Sequence, residues 1–452
     1  MPKLKPWHSF LLFLLALTPP IVQAWRRQNP VPGRLITSRF RDFYEFFSAA
    51  EVLHRGGSAH EVFSAGLLGY LYPPLLATLI SPLTPLGIFL CARLWLVLCI
   101  LCVIASAYLI SRDAIRQYWP DRAPLNPRSL AWLLSAGVAL LLIDRMTAEL
   151  KMQQSNTLML LCWCVAAVTC SRRPWLAGLA LAIGFNIKFV TLFALPYLLL
   201  RGHFRAAGWF IILTLAIALA TAIPLGHQLN ADLWQGTLKG LVGASSDAPA
   251  ATLPSAIDSD DPLPSTTTAS RVFSMDRFGV SLTTALLRLT SDLGHPQLGW
   301  PLAFAAALLY LALLAALYHH HGLSFLTGKS RSNLPPPSFL PALEWALVIL
   351  LMLAFSPQTN PRHFVQLLLT YIYLAPLILI LPTNRQRLTA LACLVLMAIS
   401  LSFPPGGNKT QLAALWSNSA AACIANLLLY LPLLHLALKS PRNNPAPPAI
   451  HS

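Results

Sequence analysis

Asp42, in the stretch Arg41-Asp42-Phe43-Tyr44, is one of sixteen acidic residues in a chain of 452. It follows an apolar run long enough to cross a bilayer, and an acid in that setting is costly enough to be read first as functional. Unusual polar groups recur further along: Glu45 and Glu51; Asp144-Arg145, Glu149, Lys151, Gln153, Gln154 and Asn156; Lys188, alone between two apolar runs; Asp276-Arg277; and Gln358, Asn360, Arg362 and His363 after Ser356-Pro357. One carboxylate with several cations (Arg145, Lys188, Arg362, joined by His363) suits a reaction in which a phosphate leaves and a hydroxyl is deprotonated. The cations stabilise charge developing on the departing oxygen while the carboxylate takes the acceptor's proton.

Each of these residues also has a purely structural reading. Asp42 caps a helix beginning at Phe43; Asp144-Arg145 forms a local ion pair at a span end; Gln154 and Asn156 hold helices together; His363 sits at a membrane interface. Lys188 resists such a reading, because an ammonium at mid-membrane costs several kcal/mol unless an anion or water meets it. Asp258-Ser259-Asp260-Asp261 lacks flanking ligands at ordered spacing and reads as a solvated acidic loop. No zinc-type spacing, Ser-His-Asp cue or Gly-rich phosphate loop is evident, so the expectation is no metal and no cofactor.

The elements that must position these groups are membrane helices. Hydrophobic residues make up 56% of the chain and charged residues 11%, far from a soluble balance. Apolar runs of about 17–25 residues recur, each long enough to span the hydrocarbon core. The ~10-residue alternation of a barrel is absent. The net charge of +16 is concentrated in short clusters between the spans. It therefore reads as topology and contact with anionic lipid, not nucleic acid. Eight cysteines lie within apolar runs and read as small hydrophobes.

Basic loops orient the spans. Residues 1–24 combine signal-like features with those of a retained first span, and the retained span is preferred. A first external loop over 25–65 contains Asp42. Next come a Pro-broken helix near 73–84 and a span at 87–111, then a basic linker, 112–128. Further spans cover 128–145 and 155–171. The run from Pro174 to Leu200 begins and ends at basic loops, which one span cannot do. Two half-length helices with Asn186-Ile187-Lys188 at their apex resolve the conflict, and such breaks line cavities. Spans near 206–224, 299–319, 339–356, 363–382, 386–403 and 416–438 follow. A long external loop over 226–298 has a Ser/Thr/Pro/Asp-rich centre, 244–270, that reads as mobile. The whole chain, 1–452, is one integral-membrane domain.

With that order, several motifs acquire meaning together. Arg41-Asp42-Phe43-Tyr44 followed by Ala49-Ala50, Tyr72-Pro73-Pro74-Leu75, Leu94-Trp95, Gln154-Ser155-Asn156, Lys188 after a small-residue helix, and Ser356-Pro357 through His363 occur in sequence. In this the chain resembles the family 87 glycosyltransferases, bacterial membrane enzymes of the GT-C superfamily that use polyprenyl-phosphate sugars, typically mannose. Asn360 and Arg362 depart from that family's Ser-Pro-x-x-Trp-x-His-His turn, and no Asn-Gln precedes Ser281-Leu282. The resemblance implies an all-α polytopic bundle of the GT-C type, with about 12–13 membrane helices, some half-length, and helices in the external loops. It also implies an inverting transfer at the periplasmic face of the bacterial inner membrane, from the lipid-phosphate donor to a lipid or glycan acceptor. Asp42 would be the general base. Arg145, Lys188, Arg362 and His363 are candidates for the donor phosphate, and Tyr44, Tyr72, Gln154, Asn156 and Gln358 for substrate.

Two rival readings use the same residues. A transporter or flippase of a lipid-linked anion needs alternating access, usually built from internal repeats; no convincing repeat is visible, and the polar groups gather at one face. The other is a non-catalytic partner in envelope-polysaccharide assembly.

Overall fold

The computed structural model describes residues 5–29, 36–66, 70, 72–120, 125–243, 279–330, 336–357, 359–402 and 419–439. Gln358, Asp276-Arg277 and the expected mobile centre at 244–270 lie outside them. Helix α1 (Pro6–Gln28) leads to two helices of the first inter-span stretch, α2 (Ile36–His54) and α3 (Ala59–Ser64). Then come α4 (Leu75–Ile80), a 3-10 turn over Ser81–Leu86, and the long α5 (Gly87–Tyr118). The chain continues through α6 (Pro127–Leu141), α7 (Ile143–Met152), α8 (Asn156–Thr169) and α9 (Pro174–Ile187). A 3-10 turn over Phe189–Phe193 precedes α10 (Ala194–Leu200). After α11 (Phe204–Ala220), α12 (Ala222–Leu225) and α13 (His227–Gly243), the described chain resumes with α14 (Leu282–Asp292) and α15 (Gly299–His320). Helix α16 (Leu340–Phe355), a 3-10 turn over Pro361–Gln366, α17 (Leu367–Leu374), α18 (Leu377–Ile380), α19 (Asn384–Ser402) and α20 (Ala421–Lys439) complete it.

Among the described residues, seven helical segments are long and apolar enough to cross a membrane, and α6 with α7 forms a further pair bent by 78°. Four shorter apolar segments, including Pro174–Ile187 and Phe189–Leu200, accompany them. No β-sheet occurs among the described residues; a lone bridge joins Leu323 and Ser330. The protein is thus an all-α polytopic membrane protein with half-length helices, as its composition predicts.

Burial sorts the helices into centre and rim. Nearly every residue of α16 and all of α17 are buried, as expected of helices apolar on every side. By contrast, α11 and α15 expose Leu215, Leu219, Leu308 and Leu309, the surface a bilayer would cover. Between membrane helices, lipid is as apolar as leucine, so close packing of small residues replaces the hydrophobic effect. Helix α9 carries Ala177, Gly178, Ala180, Ala182 and Gly184 on buried positions. A Cβ on Gly178 would lie 2.5–2.8 Å from atoms of Trp209 and Phe210, including backbone. One on Gly184 would lie 2.5 Å from the Thr191 side chain. These two contacts hold α9 against α11 and against the returning chain.

The turn at Lys188 gives the run from Pro174 to Leu200 its shape. Lys188 leaves the helix at φ −149° and ψ 136°, and Thr191 then donates from Oγ1 to the Leu181 carbonyl at 2.9 Å. At the far end Tyr197 packs on Trp345 with ring centroids 4.9 Å apart. Arg201 closes that end with a two-pronged pair to Glu344, 2.8 Å from Nε to Oε2 and 2.6 Å from Nη2 to Oε1.

Three boundaries differ from expectation. Helix α5 runs on to Tyr118 through the arginines read as a linker, because the bundle uses its polar residues: Asp113 accepts from Tyr373 at 2.7 Å, and Tyr118 donates to the Tyr373 carbonyl at 2.7 Å. The span expected at 128–145 breaks at Leu142, so Asp144 and Arg145 begin a separate helix. Helix α2 starts at Ile36, so Asp42 lies well inside it and is not its cap.

Replacing Gly178 with Val should lower stability by about 1–3 kcal/mol, the usual cost of overpacking, because the obstructing atoms include the Phe210 backbone. Thermal unfolding in detergent would measure it. An unchanged midpoint would mean that α9 and α11 do not depend on this contact.

Candidate active site

Asp42 is held by an aromatic knot. Phe43, Phe46, Phe47, Ala50 and Leu53 are buried along one face of α2 at helical spacing. The Phe43 and Phe46 rings lie 5.8 and 6.1 Å from Trp95 of α5, and Phe46 meets Tyr72 edge-on at 5.1 Å. Tyr72 is fixed in turn by Tyr70, whose hydroxyl donates to the Pro73 carbonyl at 2.8 Å and accepts from the Ala77 N–H at 3.2 Å. That second bond serves one of the unpaired donors at the start of α4. The resulting frame presents Asp42, buried to 7% exposure, to Arg362, whose Nη1 forms an ion pair with Asp42 Oδ2.

The turn from α7 to α8 supplies a second set of groups. Gln153 ends α7 with φ 57° and ψ 43°, a left-handed conformation uncommon for a residue with a side chain. Trp95 Nε1 donates to the Gln153 carbonyl at 2.8 Å, and Gln153 Nε2 donates to the Ala92 carbonyl at 3.3 Å. Pinned in this way, the turn aims Gln154 and Asn156 inward. Glu149, 1% exposed, accepts from the Asn156 N–H and from Asn156 Nδ2, each at 3.0 Å. Asn156 Nδ2 also donates to Gln154 Oε1 at 2.7 Å, which leaves its Oδ1 to accept from Lys188 Nζ at 2.7 Å. Lys188 reaches Gln154 Oε1 at 3.4 Å and lies 5.4 Å above the Tyr72 ring.

The third set comes from the turn before α17. Asn360 Oδ1 accepts from the Arg362 N–H at 3.0 Å, and the Asn360 N–H donates to His363 Nδ1 at 3.3 Å. With Nδ1 accepting, the neutral imidazole carries its hydrogen on Nε2. That nitrogen lies 3.3 Å from Lys188 Nζ. An imidazole N–H and an ammonium therefore converge, both donors, a pairing that calls for an acceptor such as a phosphate oxygen. Burial, and after it the charge of nearby Asp42, pushes the Tyr72 phenol up, so Tyr72 stays a neutral hydroxyl beside this pair.

Seven of the residues singled out in the sequence thus meet: Asp42, Tyr72, Gln154, Asn156, Lys188, Arg362 and His363. Among the described residues, no hydrogen bond or ion pair joins Arg145 or Tyr44 to them. Arg145 Nε is buried without a hydrogen-bond partner. Glu149, noted in the sequence but not assigned to the site, proves to be its second buried carboxylate. Its place seven residues before Asn156 was the only available sign, because the turn that brings them together depends on Trp95. Two cavities of about 500 and 480 Å³ lie elsewhere, one lined by Arg112, Arg116 and Trp119, the other by Arg27, Asp144 and Lys151.

A helical membrane bundle with a buried cluster of carboxylates and cations at a broken helix defines the class of this protein. Residues 70–259 match the family model described as Glycosyltransferase family 87, so the resemblance drawn from the motifs holds over that part of the chain. The polyprenol-phosphate-mannose-dependent alpha-(1-2)-phosphatidylinositol mannoside mannosyltransferase of Mycobacterium tuberculosis is 29% identical over 236 residues, which cover 50% of this chain and 52% of that protein. The chain therefore matches about half the length of that relative. No solved structure matches it significantly.

Glu149, Asn156 and Lys188 should behave as one unit. Glu149→Ala and Lys188→Met each leave a buried charge without its counterpart, at a cost of about 3–5 kcal/mol. The double variant should lose less than the two together, by about 0.5–3 kcal/mol. Unfolding of the four proteins in detergent measures the coupling, and strict additivity would show that the three residues do not act together.

Proposed function

We propose that this protein is a membrane glycosyltransferase that moves a hexose, mannose in this reading, from a polyprenyl-phosphate donor to a lipid or glycan acceptor, with inversion at the anomeric carbon and Asp42 as general base. The observation that carries this reading is the convergence of Asp42 and Arg362 with Lys188 and His363 at the apex of a broken helix. The family match and the donor named for the mycobacterial relative supply the substrate class. The basic loops favour the external face of the bacterial inner membrane for this end of the bundle.

In the reaction, the acceptor oxygen bonds to the anomeric carbon while the bond from that carbon to the phosphate oxygen breaks. The electron pair leaves with the phosphate. The acceptor's proton passes to an Asp42 carboxylate oxygen. Lys188 Nζ and His363 Nε2, 3.3 Å apart, would stabilise the charge growing on the phosphate. Arg145, buried with its Nε unpaired, is a further candidate for that phosphate. Tyr44, Gln154, Asn156 and Gln358 would help to hold the substrates, Gln154 and Asn156 by fixing the position of Lys188.

The Asp42–Arg362 pair adds a control. A carboxylate bound to a guanidinium is a weak base, and the guanidinium fork of Arg362 matches the two non-bridging oxygens of the donor's singly charged phosphodiester, whose charge grows to two as the sugar leaves. Donor binding would draw Arg362 away and release Asp42 for the acceptor. Arg362 stands where the family turn has histidine, so this coupling distinguishes the present chain from the family pattern.

Asp42→Asn should lower transfer from a synthetic polyprenyl-phosphate mannose by about 10²–10⁴-fold, the usual contribution of a general base, while donor binding is kept or strengthened because Arg362 is released. Turnover by single-cycle product formation and donor affinity by isothermal titration give the two values. Wild-type turnover in the variant would overturn the role of Asp42. Lost donor binding would assign Asp42 to binding instead of proton transfer.

A further inference from the structure

At one end of the bundle, among residues the reaction above does not use, three imidazoles meet. His320 and His321 end α15, and His435 lies near the end of α20. One ligating nitrogen from each lies within 4.8 Å of the other two. His321 Nε2 and His435 Nδ1 face each other at 3.1 Å, and the His320 ring stacks on His435 with centroids 6.1 Å apart. We propose that these histidines form a binding site for a divalent transition-metal ion of the zinc class.

Geometry supports this before chemistry does. Two nitrogens bound to a tetrahedral metal at about 2.0–2.1 Å are separated by roughly 3.3–3.4 Å. The 3.1 Å between His321 and His435 is therefore already close to the edge of such a site. Only one ring of that pair can carry hydrogen on the facing nitrogen. When the metal takes its place, that ring shifts its hydrogen to its other nitrogen, so both remain neutral imidazole ligands. His320, which is exposed, would supply the third nitrogen after a small side-chain rotation.

The backbone holds two of the three ligands in place. Gly322 adopts φ 68°, the left-handed region that glycine enters at little cost. The Leu323 N–H then donates to the Tyr318 carbonyl at 2.9 Å and the Gly322 N–H to the His319 carbonyl at 2.9 Å. This pair of bonds is a Schellman cap, and it places His320 and His321 at the negative end of the helix dipole, where a cation is favoured. Helix α20 is tied alongside by Tyr310, whose hydroxyl donates to the Leu427 carbonyl at 2.9 Å. Imidazole nitrogens suit zinc, copper and nickel and offer little to magnesium or calcium, which prefer oxygen. Arg201, bonded to Glu344, lies 5.9 Å from the ring of Tyr318 on α15, so an ion there would brace the end of the bundle opposite Lys188.

The test uses the full chain, purified in detergent without a polyhistidine tag and stripped with chelator, then titrated with zinc against a chromophoric competitor. Wild-type protein should bind one zinc ion that the triple variant His320→Ala/His321→Ala/His435→Ala does not. Each single change should weaken binding at least about tenfold, the cost of losing even an outer partner of a metal site, while His319→Ala, on the exposed neighbour, should leave it unchanged. Cobalt in place of zinc should give the intense visible bands of a tetrahedral ion in the wild type only. Equal zinc binding by wild type and triple variant would overturn the proposal, as would a loss in His319→Ala as large as that in His435→Ala. Near-native thermal unfolding of the triple variant before metal is added separates lost ligands from a lost fold.

Discussion

A bundle this apolar must do something with charges it cannot leave in hydrocarbon, and at the Lys188 turn it gathers them. Lys188 is bonded to Asn156, which is bonded to Glu149, and Arg362 is paired with Asp42. Each charge alone would cost several kcal/mol in such surroundings. Together they form a chain in which the buried amides carry hydrogen bonds from one charge to the next. The break between α9 and α10, the left-handed turn at Gln153 and the cap at Asn360 all leave regular helix where this network needs side chains to converge. The rest of the bundle is arranged so that three such irregular points face each other.

That convergence depends on close packing at a distance. Gly178 and Gly184 let α9 approach α11 and the returning chain, and the contact of Tyr197 with Trp345 fixes the far end of the returning limb. Trp95 reaches both ways: its rings pack on α2, which carries Asp42, while its indole N–H holds the turn that carries Gln154 and Asn156. The aromatic residues of the site therefore act as a ruler between carboxylate and cations. Their role is rigidity, which catalysis by preorganised groups requires.

Under the proposed mechanism, a base and the cations for a donor phosphate stand side by side. Arg362 neutralises Asp42, so the site carries no unpaired acid into the membrane. A donor phosphate bound beside Lys188 and His363 would change which partner Arg362 prefers. Substrate binding and activation of the base would then be the same electrostatic event.

Composition and hydropathy were enough to determine a helical membrane protein, because apolar runs longer than a bilayer allow little else. The conflict of basic loops around Pro174 to Leu200 pointed to a broken hairpin with Lys188 at its apex, for the same reason that charge does not cross lipid freely. The ordered motifs contained most of the residues that converge in the candidate site: Asp42, Tyr72, Gln154, Asn156, Lys188, Arg362 and His363. Tertiary structure alone decided the pairings. It joined Asp42 to Arg362, 320 residues away, made Glu149 a member of the site, and placed Asp42 inside a helix instead of at its start. Local sequence can state that a carboxylate is expensive in a membrane. Which cation offsets it depends on how distant helices pack, and that is set by glycines and aromatic rings whose partners the linear order does not reveal.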